Sequence, residues 1–181
     1  MGLKAKDLSD GKEPMSYAEL DCLKSLAATL PESPTIVNIG AADGLSTMAF
    51  LEERADAFIF SVDVNECKQE FEHLEQGGHD LAHVVRLLGD SKQIGPTFPY
   101  QCDLLFIDGD HWGAGKDIEA WVITGKVRAG GIVAFHDWQP DGCAPNNPGS
   151  VTEDVREWTK RHPEFEQVAE VERVIVFRVP Q

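Results

Sequence analysis

Residues 35–44 read Thr35-Ile36-Val37-Asn38-Ile39-Gly40-Ala41-Ala42-Asp43-Gly44. A short, β-branched run that ends in glycine has the pattern of a buried strand leading into a tight turn. A helix is expected to begin near Ser46, carrying Met48, Ala49, Phe50 and Leu51. The rest of the chain repeats this strand-to-helix unit. Phe58–Asp63, His83–Leu88, Cys102–Asp108 and Ile132–Asp137 read as further strands. Upstream, Ser16-Tyr17-Ala18-Glu19 forms a capping box for a helix with Leu20, Leu23, Leu26, Ala27 and Leu30 at helical spacing. Pro31 and Pro34 close it. Asn65 is expected to cap a charged helix ending at Gly77-Gly78, and Ile118, Trp121 and Val122 share a later helical face. A second capping box, Ser150-Val151-Thr152-Glu153, opens a helix with Val155 and Trp158. Phe165–Val171 and Val174–Phe177 are two strands close enough to form a hairpin.

Strands alternating with helices imply right-handed crossovers and a mainly parallel sheet covered on both faces. The expected fold is therefore α/β: a Rossmann-like three-layer sandwich around a mostly parallel seven-stranded sheet, with one antiparallel strand near the C-terminus. The length, 181 residues, fits a single domain spanning 1–181, with 1–15 as a flexible or substrate-covering segment. Hydrophobic residues at 42% and charged residues at 26% exclude a largely disordered chain. No apolar stretch approaches the roughly 20 residues that cross a bilayer, and the first residues lack the apolar stretch of a signal peptide. A net charge of −15 repels phosphate backbones and anionic membranes, so neither nucleic acid nor membrane is expected as a partner. Cys22, Cys67, Cys102 and Cys143 make no Cys-x-x-Cys pair and read as free thiols of a cytoplasmic protein.

Each of the five central strands is followed by a polar signature. These are the glycine turn at 40–44, Asp63, Gly89-Asp90-Ser91, Asp108-Gly109-Asp110-His111 and His136-Asp137. Open α/β sheets bind ligands outside the carboxyl ends of their strands, so all five fall on one edge. Gly40 and Gly44 bring backbone close to a ligand, but no third glycine completes a dinucleotide fingerprint. No lysine follows as in a phosphate-cradling loop. Asp63 at a strand tip can accept hydrogen bonds from both ribose hydroxyls of a nucleoside. Asp90 and Ser91 are placed to meet an adenine edge. Taken singly, each of these residues could merely cap a helix or sit in a turn; their joint placement is the signal.

In this order the motifs resemble those of class I S-adenosylmethionine-dependent methyltransferases. The closest group is the small-molecule O-methyltransferase-like branch, similar to macrolide-sugar and catechol O-methyltransferases. The resemblance covers roughly residues 35–138 and the terminal hairpin. It implies S-adenosylmethionine as cofactor, held by Gly40, Asp43, Gly44, Asp63, Asp90 and Ser91, with Asn38, Ser46 and Asp108 completing the set. Asn38 stands where the family often carries an acid; it can hydrogen-bond the ammonium end of the cofactor, but without charge. The resemblance further implies a divalent ion, Mg2+ or another, at Asp108, Asp137 and His136. The catechol type has an acid where His136 stands, and a nitrogen ligand suits manganese, iron or zinc better than magnesium. His111 and His136 are the candidate bases, with Asp108 beside them.

Two other readings compete. A metal-dependent hydrolase could use Asp108, Asp110, His111, His136 and Asp137, but would leave the glycine turn and Asp63 without a role. A non-catalytic nucleoside-binding domain is the other. For the methyltransferase, the acceptor is a small hydroxylated molecule. It would be recognised by residues 1–17, by Trp112–Lys116, by the loop Trp138–Gly149 or by a neighbouring subunit in a homo-oligomer. Trp112 and Trp138 can wall that site or pack under loops, whereas Trp121 and Trp158 are expected in the core.

Overall fold

The computed structural model describes residues 2–139 and 150–181. Cys143 and most of the loop after Trp138 lie outside the described residues. Seven strands form one sheet: β1 (Thr35–Ile39), β2 (Phe58–Asp63), β3 (Val84–Leu88), β4 (Cys102–Ile107), β5 (Val127–Phe135), β6 (Glu166–Val171) and β7 (Val174–Arg178). Their order across the sheet is β3-β2-β1-β4-β5-β7-β6. Neighbours from β3 to β5 pair in parallel, and β7 runs antiparallel to both β5 and β6. The expected single antiparallel strand is thus β7, which the hairpin inserts between β5 and β6.

The helices are α1 (Tyr17–Ala28), α2 (Leu45–Glu53), α3 (Lys68–Gly77), α4 (Ser91–Thr97), α5 (Ala114–Asp117) and α6 (Val151–Arg161). A π-helical turn, Ile118–Ile123, continues α5. Strand side chains alternate between two cores. Ile36, Leu104, Phe106 and Ala134 pack with Leu23 of α1, Phe50 of α2 and Leu74 of α3. Val37, Ile107, Val133 and Phe135 pack with Trp121 and with Trp158 of α6 on the other face. Trp121 and Trp158 are fully buried, as their helical positions suggested.

The box at α1 forms as expected: Glu19 N–H donates to Ser16 Oγ at 3.1 Å, and Ser16 N–H donates to Glu19 Oε2 at 2.7 Å. The cap of α3 differs from expectation. Cys67 (φ 41°), not Asn65, precedes the helix. Asn65 N–H instead donates to the Asp63 carboxylate at 2.8 Å, which keeps 63–65 as a turn at the strand tip. The segment before α1 is tied down: Ala5 is fully buried, its N–H donates to Glu52 Oε1 at 2.7 Å, and Leu3 N–H donates to the Gln76 carbonyl at 3.1 Å. Among the described residues, Cys22, Cys67 and Cys102 are free, and no helix is long and apolar enough to cross a membrane.

Candidate active site

The sheet order changes direction between β1 and β4, and there the chain leaves a cleft at the carboxyl edge. Gly40 sits at this point with φ +88°; a Cβ on it would lie 2.2 Å from the Asp108 carbonyl oxygen. Only glycine lets the two strand ends come this close. Gly44, φ +87°, opens α2 and leaves no room for a Cβ beside Glu70.

A cavity of about 720 Å³ opens from this junction. Gly40, Ala42 and Asp63 line one part, Gly89, Asp90 and Ser91 the next, and Asp108, His111, His136 and Asp137 the opposite end. Glu13, Pro14 and Arg173 close that end. Burial pushes the Asp63 carboxyl up, but the Asn65 and Ala42 N–H groups outweigh it and hold Asp63 below the usual carboxylate range. Asp63 is therefore an ionised acceptor. Asp90 caps α4 by accepting from Lys92 N–H at 3.0 Å, and Ser91 Oγ donates to Asp117 Oδ1 at 2.5 Å.

Asn38 and Ser46 lie behind the cavity rather than in its wall. Asn38 is fully buried, and its Nδ2 donates to Ser46 Oγ at 3.0 Å and to Thr47 Oγ1 at 2.9 Å. Thr47 passes the chain on to Glu70, which also accepts from Ser61 and pairs with Arg86. A buried carboxylate thus stands one residue removed from the neutral Asn38. Asp43 is exposed on the turn, where its carbonyl contacts His73 Nδ1.

The far end of the cavity is a row of charges. His136, 4% exposed, places Nδ1 3.0 Å from Asp108 Oδ1 and 3.5 Å from Asp137 Oδ1. Its Nε2 is buried without a well-aimed hydrogen bond and faces Glu19 Oε2 at 3.5 Å. Burial lowers the His136 pKa, but Asp108, Glu19 and Asp137 outweigh that and lift it to about 10. Glu19, fully buried, is pushed up by burial and drawn down further by His136, Ser16 N–H and Arg173, to about 2. Arg173 reaches Glu19 Oε1 with its backbone N–H at 3.0 Å and with Nε at 3.1 Å. Its remaining donors go to Glu13 and to the Lys12 and Pro14 carbonyls. His111 Nδ1 makes a short contact with Asp137 Oδ2. Trp112 is 63% exposed and Trp138 is buried at 8%.

One donor atom each from Asp108, His136 and Asp137 lies within 4.8 Å of the others. The set fits a divalent ion once Nδ1 gives up its proton, with Glu19 positioned to take Nε2–H from behind. Glu19 and Arg173 were not legible as site residues. Glu19 carried a complete explanation as a helix cap, and Arg173 sits in a hairpin turn with no motif around it.

A family model described as a methyltransferase domain matches residues 37–138. Among solved structures, the chain is similar to the O-methyltransferase TomG from Streptomyces achromogenes, involved in tomaymycin synthesis and in complex with SAM. It shares 17% identity with TomG, over 92% of this chain and 82% of that one, with a TM-score of 0.75. It is also similar to the SAH-bound methyltransferase PaMTH1 from Podospora anserina, at 18% identity over 98% and 85% of the two chains and a TM-score of 0.73. Cofactor-bound Rv0187 from MTB shares 17% identity over 98% and 87%, with a TM-score of 0.77. No curated protein matches the chain.

Proposed function

The chain belongs to the methyltransferase-domain family, and from that premise we propose that it transfers a methyl group from S-adenosylmethionine to a hydroxyl of a small molecule. The observation that carries this reading is the order of groups along the cavity. The glycine turn and ionised Asp63 stand beside Asp90 and Ser91, and the His111–Asp137 pair stands at the other end. The first four suit a nucleoside with its amino-acid arm, and the last two suit a hydroxyl that must lose a proton.

When bound, the cofactor's sulfonium supplies a methyl group that is already activated. The chain then has to align the acceptor oxygen and exclude water. Asp63 accepts the ribose hydroxyls, and Gly40 lets the backbone approach. Asp137 holds His111 by Nδ1, which leaves Nε2 as the nitrogen that takes the acceptor's proton. His136 is the poorer base, because a pKa lifted to about 10 keeps it protonated. Asp108, Asp137 and, once its Nδ1 gives up the proton, His136 would hold a divalent ion, which would lower the acceptor's hydroxyl pKa. Glu13 and Pro14 line the same end, which supports assigning the N-terminal segment to cover the acceptor. Lys92 is paired with Asp110 at 2.6 Å, Arg173 with Glu19 at 3.1 Å and His136 with Asp108 at 3.0 Å, so none of these cations in the wall is free to hold an anion. The acceptor is accordingly neutral or cationic.

Calorimetry with S-adenosylhomocysteine on chelator-treated protein tests the reading. Micromolar binding that Asp63→Ala weakens at least about tenfold supports it, in line with the loss of a charge-assisted hydrogen-bond pair. Equal affinity in the variant would sink the cofactor assignment.

A further inference from the structure

The tip of β3 and the start of α4 carry two side chains whose hydrogen-bonding sense is fixed from behind. Ser91 Oγ donates its only proton to Asp117 Oδ1 at 2.5 Å. Asp117 is fully buried at the end of α5, and its other oxygen has no partner among the described residues. Burial pushes the Asp117 carboxyl up and the hydrogen bond from Ser91 draws it partly back down; in its ionised form Asp117 only accepts, so the hydroxyl facing it must donate and keeps only lone pairs for the cavity. The backbone at Ser91 is held as well. Trp121, four residues beyond Asp117 on the same helical face, donates from Nε1 to the Ser91 carbonyl at 3.0 Å. Gly95 of α4 packs so tightly on Trp121 that a Cβ there would lie 2.8 Å from Nε1. The serine therefore cannot easily swing away. Asp90 is an acceptor too: one of its oxygens takes Lys92 N–H at 3.0 Å.

We propose that Asp117 is a positioning residue for base selection: by locking Ser91 Oγ as an acceptor, it makes this end of the cavity select a base carrying an exocyclic amino group. This rests on the nucleoside-cofactor reading above and deepens it. With Asp63 on the ribose, the neighbouring β3 tip is where the base must lie. The 6-amino group is the only donor of a ribose-linked adenine, and its two N–H bonds answer Asp90 and Ser91. A 6-oxo base turns position 6 into an acceptor and keeps a single N–H, on ring N1, so one of the two acceptors is left unanswered. Leaving such groups unpaired in a buried site is worth about 1–3 kcal/mol, or roughly 5- to 150-fold in affinity.

The test measures binding of S-adenosylhomocysteine and S-inosylhomocysteine at pH 8 by calorimetry, for the natural protein, Asp117→Asn, Ser91→Ala and the double variant. The natural protein should prefer the adenosyl ligand by at least about tenfold. Asp117→Asn frees the serine hydroxyl to rotate, so the preference should shrink several-fold, chiefly through better inosyl binding. In the Ser91→Ala background, Asp117→Asn should change the ratio no further, an outcome that a merely structural role for Asp117 would not produce. A preference unchanged in Asp117→Asn, with adenosyl binding intact, overturns this inference alone. Absence of adenosyl binding by the natural protein overturns the cofactor reading beneath it. Should Asp117→Asn fail to fold, Ser91→Cys replaces it: a weaker acceptor at the same place must reduce the preference, and an unchanged ratio refutes the lock.

Discussion

Glu19 and His136 meet at the base of the cavity, Oε2 to Nε2 at 3.5 Å, one from the first helix and one from the end of β5, with neither side chain more than 4% exposed. Residues of the same strand face explain the meeting. Ile132 and Ala134 point toward the core that α1 covers, and His136 continues their alternation. The pair joins a nearby cation, Arg173, and a nearby anion, Asp108, into one buried network.

Its pH signature follows from the shifts. His136 titrates at about 10 in the folded chain against an ordinary 6.5, so its contribution is complete below pH 6.5 and is lost as pH rises through 10. Glu19 titrates at about 2 against an ordinary 4.5, so its contribution is complete above pH 4.5 and is lost as pH falls through 2. Asp108, whose carboxyl burial pushes up, acts with the opposite sign on the acid side, which leaves the alkaline side as the cleaner measure. The melting temperature of chelator-treated protein should decline from pH 6.5 to 10, and less so in His136→Gln. A profile with the same slope in both proteins would contradict the assignment.

Glu19→Gln removes the anion between two cations, His136 and Arg173. Removing one partner of a buried pair costs about 3–5 kcal/mol, which at this chain length lowers Tm by about 6–20 °C. Lys6→Ala, which breaks an exposed pair with Asp21, should leave Tm unchanged within error. Differential scanning calorimetry distinguishes the two, and similar small effects in both would mean Glu19 is no more than a cap.

His111→Ala should lower kcat by about 10²–10⁴-fold, the usual worth of a general base, with S-adenosylhomocysteine affinity unchanged. Single-turnover methyl transfer alongside calorimetry measures both. A variant of full activity would remove His111 from the reaction.

Gly40 and Gly78 both have positive φ, at +88° and +77°, but differ in surroundings. Around Gly78 a Cβ would meet nothing within 4 Å, so Gly78→Ala should cost only the left-handed strain of about 1–2 kcal/mol. Gly40→Ala must also displace the Asp108 carbonyl, and should cost more and weaken cofactor binding. Urea unfolding of the two variants gives the comparison; equal costs would mean the β1–β4 contact yields easily.

The succession of strands along the chain and the polar groups at their ends were legible because short β-branched runs and glycine turns are local signals. The side chains behind those ends were not. Asn38 stands at a strand end, yet alternation turns it away from the cavity toward Ser46 and Thr47. Asp117 came to face Ser91, and Trp121 to bond the Ser91 carbonyl, through the π-helical turn and the close packing on Gly95, which no spacing rule announces. Asn65 lost its expected cap because the Asp63 carboxylate captures its N–H first. Arg173 is 154 residues from Glu19, beyond the reach of any local pattern.

That separation also sets a schedule during synthesis. At about 5–20 residues per second, a ribosome delivers Arg173 roughly 8–30 s after Glu19. For that interval the nascent chain carries the acid of α1 without its guanidinium, and the end of the cavity at His136 and Asp137 is left without Arg173. The β6–β7 hairpin therefore brings the groups that close this cavity, and a nascent chain that has not reached it lacks them.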